Sequence, residues 1–165
     1  MTEAPPRRSS IDRVRDYLAT HDLADRVVTF GGSTRTAELA ADAVDCELGQ
    51  IVKSLVFVDD AGAAVLVLVA GDRRGDTRAI ARETSAQRVA FADAETVRAA
   101  TGYAIGGVSP FDLPPELPVL VDESLERFAE VYTAAGTPNS MVRLTIAQLI
   151  AISGGHVAQV SQAGA

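Results

Sequence analysis

The chain has 165 residues, 47% of them apolar and 22% charged, and a formal net charge of −7 at pH 7. That length suits one domain around one core, and the composition lies far from that of disordered chains. The acidic balance argues against sequence-independent gripping of a nucleic-acid backbone, which needs many cationic contacts to phosphate, so any nucleic-acid partner must be held locally.

Residues 1–9 read as a flexible tail and 10–165 as the folded domain. Arg7 and Arg8 lack the apolar stretch of a secretory signal behind them. The longest apolar run, Ala63 to Ala70, has strand length and falls short of the roughly 20 residues that span a bilayer. A cytoplasmic protein is expected.

Ile11, Val14, Tyr17 and Leu18 recur at helical spacing behind Ser9 and Ser10, which offer N-caps. His21 falls just past that helix, where it suits the last carbonyls. Val27 to Phe30 reads as a short strand. Hydroxyls at Ser33, Thr34 and Thr36 can cap a second helix whose apolar face is Leu39, Ala40, Ala43 and Val44. Cys46 is the single cysteine, so it forms no internal disulfide and reads as a small apolar helix residue. Gln50 to Val58, a turn at Asp59 to Gly62, and Ala63 to Ala70 form the clearest hairpin, apolar on both faces and hence central.

Further on, Gly71 to Asp76 reads as an exposed polar turn that could alternatively put Arg73 or Arg74 beside a phosphate. Thr77 to Thr84 reads as a helix, Arg88 to Phe91 as a strand, and Asp93 to Ala100 as a helix ended by Gly102. Tyr103 to Pro118 holds four of the seven prolines and is expected to be an irregular, functional segment. Strands follow at Val119 to Val121, Val131 to Thr133 and Met141 to Leu144, with a short helix at Ser124 to Phe128. Thr145 caps a last helix, Ile146 to Ile152, and a final strand is expected at Val157 to Val160. This order favours an α+β (mixed α/β) single domain around a mixed, partly curled sheet over a doubly wound parallel one.

Fourteen of the fifteen basic residues are arginine, which singles out Lys53. Strand alternation puts Lys53 on one face with Ile51, Leu55 and Phe57, where an ammonium is costly without a partner. Either the strand lies at an edge and the lysine snorkels to water, or the ammonium lines a cavity and meets an anion there. Glycines at Gly106 and Gly107 let a backbone approach a ligand, and Pro110 stiffens the loop. Ser109 lacks the second glycine of a nucleophile elbow, and two histidines with one cysteine at no paired spacing offer no zinc site.

Together these pieces resemble the YbaK/EbsC family of aminoacyl-tRNA editing domains, related to the editing insertion of bacterial prolyl-tRNA synthetases. The resemblance runs from about Ser33 to Gln159. It rests on Thr36-Ala37-Glu38-Leu39-Ala40-Ala41, on Gly49-Gln50-Ile51-Val52-Lys53-Ser54-Leu55-Val56-Phe57, on Val69-Ala70-Gly71-Asp72-Arg73-Arg74, and on Gly106-Gly107-Val108-Ser109-Pro110-Phe111, which matches a Gly-x-x-x-Pro loop.

The resemblance implies a mixed, barrel-like sheet surrounded by helices and a deacylase that hydrolyses the ester of mischarged tRNA in trans, without metal or organic cofactor. It implies that Lys53, Gly106 and Gly107 are catalytic, with Lys53 contacting the acceptor end. Ser33, Thr34, Ser54, Val108, Ser109 and Pro110 are then the substrate-binding candidates. The expected partner is the tRNA acceptor end, with room for an aminoacyl-tRNA synthetase bound to the same tRNA and no membrane. Asp112 departs from the family pattern and could alter the accepted substrates, whereas His156 is left out of the site. Two rivals stand beside this reading: a non-catalytic module sensing an amino acid or aminoacyl-adenylate, and a Schiff-base enzyme using Lys53.

Overall fold

The computed structural model describes residues 9–32 and 36–164. The expected tail therefore lies outside the described residues except for Ser9, which caps the first helix, α1 (Ser10–Ala19), by accepting from the Asp12 N–H. Strand β1 (Val27–Thr29) leads to α2 (Ala37–Val44), whose cap is Thr36. The hairpin is β2 (Val52–Asp59) and β3 (Ala64–Ala70). Next come β4 (Arg73–Gly75), α3 (Thr77–Glu83), β5 (Val89–Phe91) and α4 (Ala94–Thr101). After the irregular segment come β6 (Val119–Asp122), a 3-10 turn at Glu123–Arg127, β7 (Glu130–Ala134) and β8 (Ser140–Thr145). The chain closes with α5 (Ile146–Ser153), β9 (His156–Ala158) and β10 (Ser161–Ala163).

Local chemistry sets these limits. Asp76, Asp93 and Thr145 cap α3, α4 and α5 with their side chains, each cap being worth about 1 kcal/mol. Gly102 ends α4 in the left-handed region at φ 78°, which costs a glycine nothing.

Five strands form the main sheet in the order β5-β2-β3-β6-β9, antiparallel up to β3 and parallel beyond. Three more form the antiparallel sheet β1-β8-β7, and β4 pairs with β10. The domain is α+β, as expected, but its strands divide into three sheets and no closed barrel forms among the described residues. The hairpin is central and covered on both faces. One face, with Val52, Val56, Leu66 and Leu68, packs against Val131, Val142 and Leu144 of the second sheet and against α1, α4 and α5. The other, with Phe57, Val65, Val67 and Val69, packs under Ile80 and Ala81 of α3. Each fully buried leucine or isoleucine here contributes about 1.5–3 kcal/mol of transfer free energy.

Two expectations need correction. Gly71 to Asp76 is not a simple exposed turn: Arg73–Gly75 is a strand paired with Ser161–Ala163. The final strand is likewise split, because Val160 is fully buried and donates to Asp122 between β9 and β10. Three-residue strands are too short to show a periodic signal.

Candidate active site at an open strand edge

Strand β2 is paired along its whole length with β3, but its other edge is used only in part. At one end Phe57, Val58 and Asp59 pair with β5, and Ala92 N–H donates to the Val56 carbonyl. At the other end Ile51 forms an isolated bridge to Tyr132 of β7. Between them the chain turns away into α4, and the two sheets splay apart. A cavity of about 360 Å³ fills the splay. Its walls come from residues 51–55 of the edge, Thr36, Ala37 and Ala40 of α2, Ile105, Gly106 and Val108 of the irregular segment, and the β7–β8 hairpin.

Lys53 and Ser54 both line this cavity although alternation sends their side chains to opposite faces, because the cavity runs along the edge itself. The lysine therefore does lie at an edge, and it opens onto a cavity there. The Lys53 ammonium is half-buried and donates to the Arg73 carbonyl. Burial lowers its pKa, with the charges of Glu38 and Asp72 acting in the opposite direction. It is the only charged side chain among the described lining residues.

The acceptor of that ammonium is fixed from below. Arg73 Nε donates to Ser161 Oγ at 2.6 Å, and that hydroxyl donates to Asp122 at 2.7 Å. Asp122, almost wholly buried, also accepts from the N–H groups of Val160 and Ser124. Burial pushes its pKa up, but the hydrogen bonds from Ser124, Ser161 and Val160 outweigh that and hold it below the usual value. The guanidinium of Arg73 is thus turned to β10, and Arg74 is exposed away from the cavity lining.

The glycine loop divides. Gly106, at φ 91°, and Val108 line the cavity. Gly107 instead packs closely on the next loop: a Cβ there would lie 3.0 Å from the Gly136 carbonyl oxygen. Ser109 is fully buried and Pro110 borders a separate depression with Tyr17 and Leu113, so neither lines the cavity. Asp112 does not reach it either; its carboxylate is held by Arg13 Nε at 2.7 Å. Arg13 also lies over the Tyr103 ring, 4.5 Å from its centroid, and Tyr17 stacks on Phe111 at 6.4 Å. Burial raises the Tyr103 pKa to about 12; Arg13 opposes the shift and Asp112 adds to it. Ser33 and Thr34 lie outside the described residues.

Several lining residues carried no sequence signal, notably Ile105, 56% exposed at the mouth, and Tyr132, Thr137, Ser140 and Met141 of the β7–β8 hairpin. Thr137 and Ser140 join their hydroxyls at 2.6 Å, a pair visible only once the hairpin is folded. Cys46 is half-buried, away from the lining. Burial raises its thiol pKa, as do Asp45 and Glu47, which disfavours the thiolate.

The cavity thus combines an ammonium, amide groups and hydroxyls with apolar walls, and its described lining holds no carboxylate or imidazole base. Such a site can bind an anion and polarise a carbonyl but must take its nucleophile from water or the ligand. The model of the aminoacyl-tRNA editing domain matches residues 32–152, which include every described cavity residue. The chain belongs to the aminoacyl-tRNA editing domain family.

Relatives of this editing domain include YwhH of Bacillus subtilis (strain 168), 34% identical over 140 residues, covering 85% of this chain and 88% of that protein. EbsC of Enterococcus faecalis (strain ATCC 700802 / V583), a candidate Cys-tRNA(Pro)/Cys-tRNA(Cys) deacylase, is 24% identical over 76% of this chain and 77% of its own. The crystal structure of a candidate trans-editing enzyme for prolyl-tRNA synthetase superposes with a TM-score of 0.84 at 42% identity, over 97% of this chain and 99% of the other. No described helix of the editing domain is long and apolar enough to cross a membrane.

Proposed function

We propose that this editing domain is a cytoplasmic aminoacyl-tRNA deacylase acting in trans, with residues 10–165 as its working unit. Water attacks the carbonyl carbon of the aminoacyl ester, the bond to the ribose oxygen breaks, and that oxygen leaves with a proton as the free hydroxyl. The observation that carries this reading is Lys53, a half-buried lysine that lines one cavity together with Gly106 and Val108. In this reading Lys53 holds the acceptor end and supplies positive potential, while the Gly106 backbone polarises the ester. Gly107, Ser109 and Pro110 act behind the lining, by fixing the loop. An activated ester needs little acid–base assistance, which suits a lining without a histidine.

The test is a panel of tRNAs charged with alanine, cysteine, serine, threonine or proline, with ester loss followed at neutral pH. At least one noncognate ester is expected to disappear at least 100-fold faster than in buffer, and Lys53→Ala is expected to remove most of that gain. Unchanged rates across the panel would overturn the reading. Thermal stabilisation by an aminoacyl-adenosine analogue without ester loss would assign a binding module instead.

A further inference from the structure

One residue in the cavity, Ser54, turns its main-chain N–H and C=O to the open edge of β2. In the β2–β3 ladder, Leu66 N–H donates to Pro118, away from β2, so residue 66 and its partner Val56 occupy a non-hydrogen-bonded pair. Pairs alternate along an antiparallel ladder, so Ser54 opposite Leu68 is of the same kind. Its N–H and C=O therefore point outward from β3. Val56, two residues on, meets Ala92 with its outward carbonyl, and Ile51 is bridged to Tyr132. Ser54 falls in the gap, where none of the described strands forms a ladder with the outer edge of β2. Its hydroxyl is also buried without a hydrogen-bond partner. Central strands do not leave such groups unpaired without reason, since each unsatisfied buried group costs on the order of 1–3 kcal/mol.

An α-aminoacyl ester carries the complementary pair. Its ammonium is a donor and its carbonyl oxygen an acceptor, separated by one α-carbon, as in a single residue of a β-strand. We infer that the aminoacyl group docks on Ser54 as a one-residue strand, donating from its α-ammonium to the Ser54 carbonyl and accepting the Ser54 N–H on its ester oxygen. This docking rests on the deacylase reading above and adds a substrate class to it: esters with a free α-amino group. N-acylated esters, including peptidyl esters, lose the ammonium and cannot fit the gap. The acyl side chain then lies on the Ser54 face, between Val52 and Val108. The Ser54 N–H joins Lys53 and Gly106 around the carbonyl, so recognition and polarisation use the same backbone.

The test uses 3′-(L-alanylamino)-3′-deoxyadenosine, a stable amide-linked analogue, and its N-acetyl counterpart on the full chain. At saturation the free-amine analogue is expected to slow Ser54 amide hydrogen exchange at least tenfold, and the N-acetyl compound to bind at least tenfold more weakly. Ser54→Ala should retain that discrimination, because the main chain performs it. Equal binding of the two compounds, loss of the discrimination in Ser54→Ala, or a response at Gly106 with none at Ser54 would each overturn the docking while leaving the deacylase reading intact. No response at any cavity amide, together with no ester loss on the tRNA panel, would overturn both.

Discussion

At the scale of single residues, Lys53 combines a folding cost with the chemical use proposed for it. Burial lowers its pKa below the ordinary 10.5, so the folded protein binds fewer protons than the unfolded chain between the two values. Lys53 therefore opposes folding below its folded pKa, and that penalty fades as pH rises through it towards 10.5. Hydrolysis that needs the ammonium has the opposite dependence. Enzyme-dependent ester loss, corrected for the spontaneous reaction, is expected to fall along an alkaline limb whose midpoint lies below 10.5. Lys53→Arg should displace that limb upwards in any variant that retains turnover; a limb unchanged in position would assign it to another group. Lys53→Met should abolish hydrolysis yet leave thermal stability equal or raise it by up to about 1 kcal/mol, measurable as a few degrees in Tm. This residue was legible in the sequence because an isolated lysine on an apolar strand contradicts its surroundings. Ser54 was visible only as a polar neighbour, since strand composition does not reveal which edge lacks a partner.

At the scale of elements, the corner from β3 into β4 sets the position of the carbonyl that holds Lys53. Gly71 lies at that corner, and a Cβ there would collide with the Leu48 carbonyl oxygen, a backbone atom that cannot swing aside. Gly71→Ala is expected to cost about 1–3 kcal/mol in denaturant unfolding and to lower kcat as the Arg73 carbonyl shifts. Asp122 secures the same corner through Ser161. Its depressed pKa contributes stability that is present above the ordinary carboxylate value of 3.8 and lost as pH falls through the folded value. Asp122→Ala, which strands several buried donors, should cost about 3 kcal/mol and flatten that acid loss. The sequence showed the hairpin, all five helices and most strands, since period and caps agreed there. It hid the β4–β10 pair, because Arg73–Gly75 and Ser161–Ala163 are polar, three residues long and far apart in the chain. The cavity followed the same rule: its floor was readable as one strand, whereas its walls depend on how two sheets diverge.

For the whole molecule, a net charge of −7 disfavours broad electrostatic gripping of a tRNA body. Binding restricted to the acceptor end means few phosphate contacts and a shallow salt response. With about two such contacts to single-stranded RNA, affinity should weaken only about sevenfold between 50 and 200 mM salt. A fall of a thousandfold or more in kcat/KM over that range would reveal a broad electrostatic footprint instead. Helix α1 has a different bearing on the substrate end. It precedes the matched residues 32–152, yet Arg13 and Tyr17 grip Tyr103, Phe111 and Asp112, which flank the glycine turn beside the cavity. The helix acts as a splint, placing part of the control over pocket shape upstream of the matched residues 32–152. Two members with identical cavity linings could therefore sort amino acids differently, simply because one braces its turn from outside and the other leaves it slack.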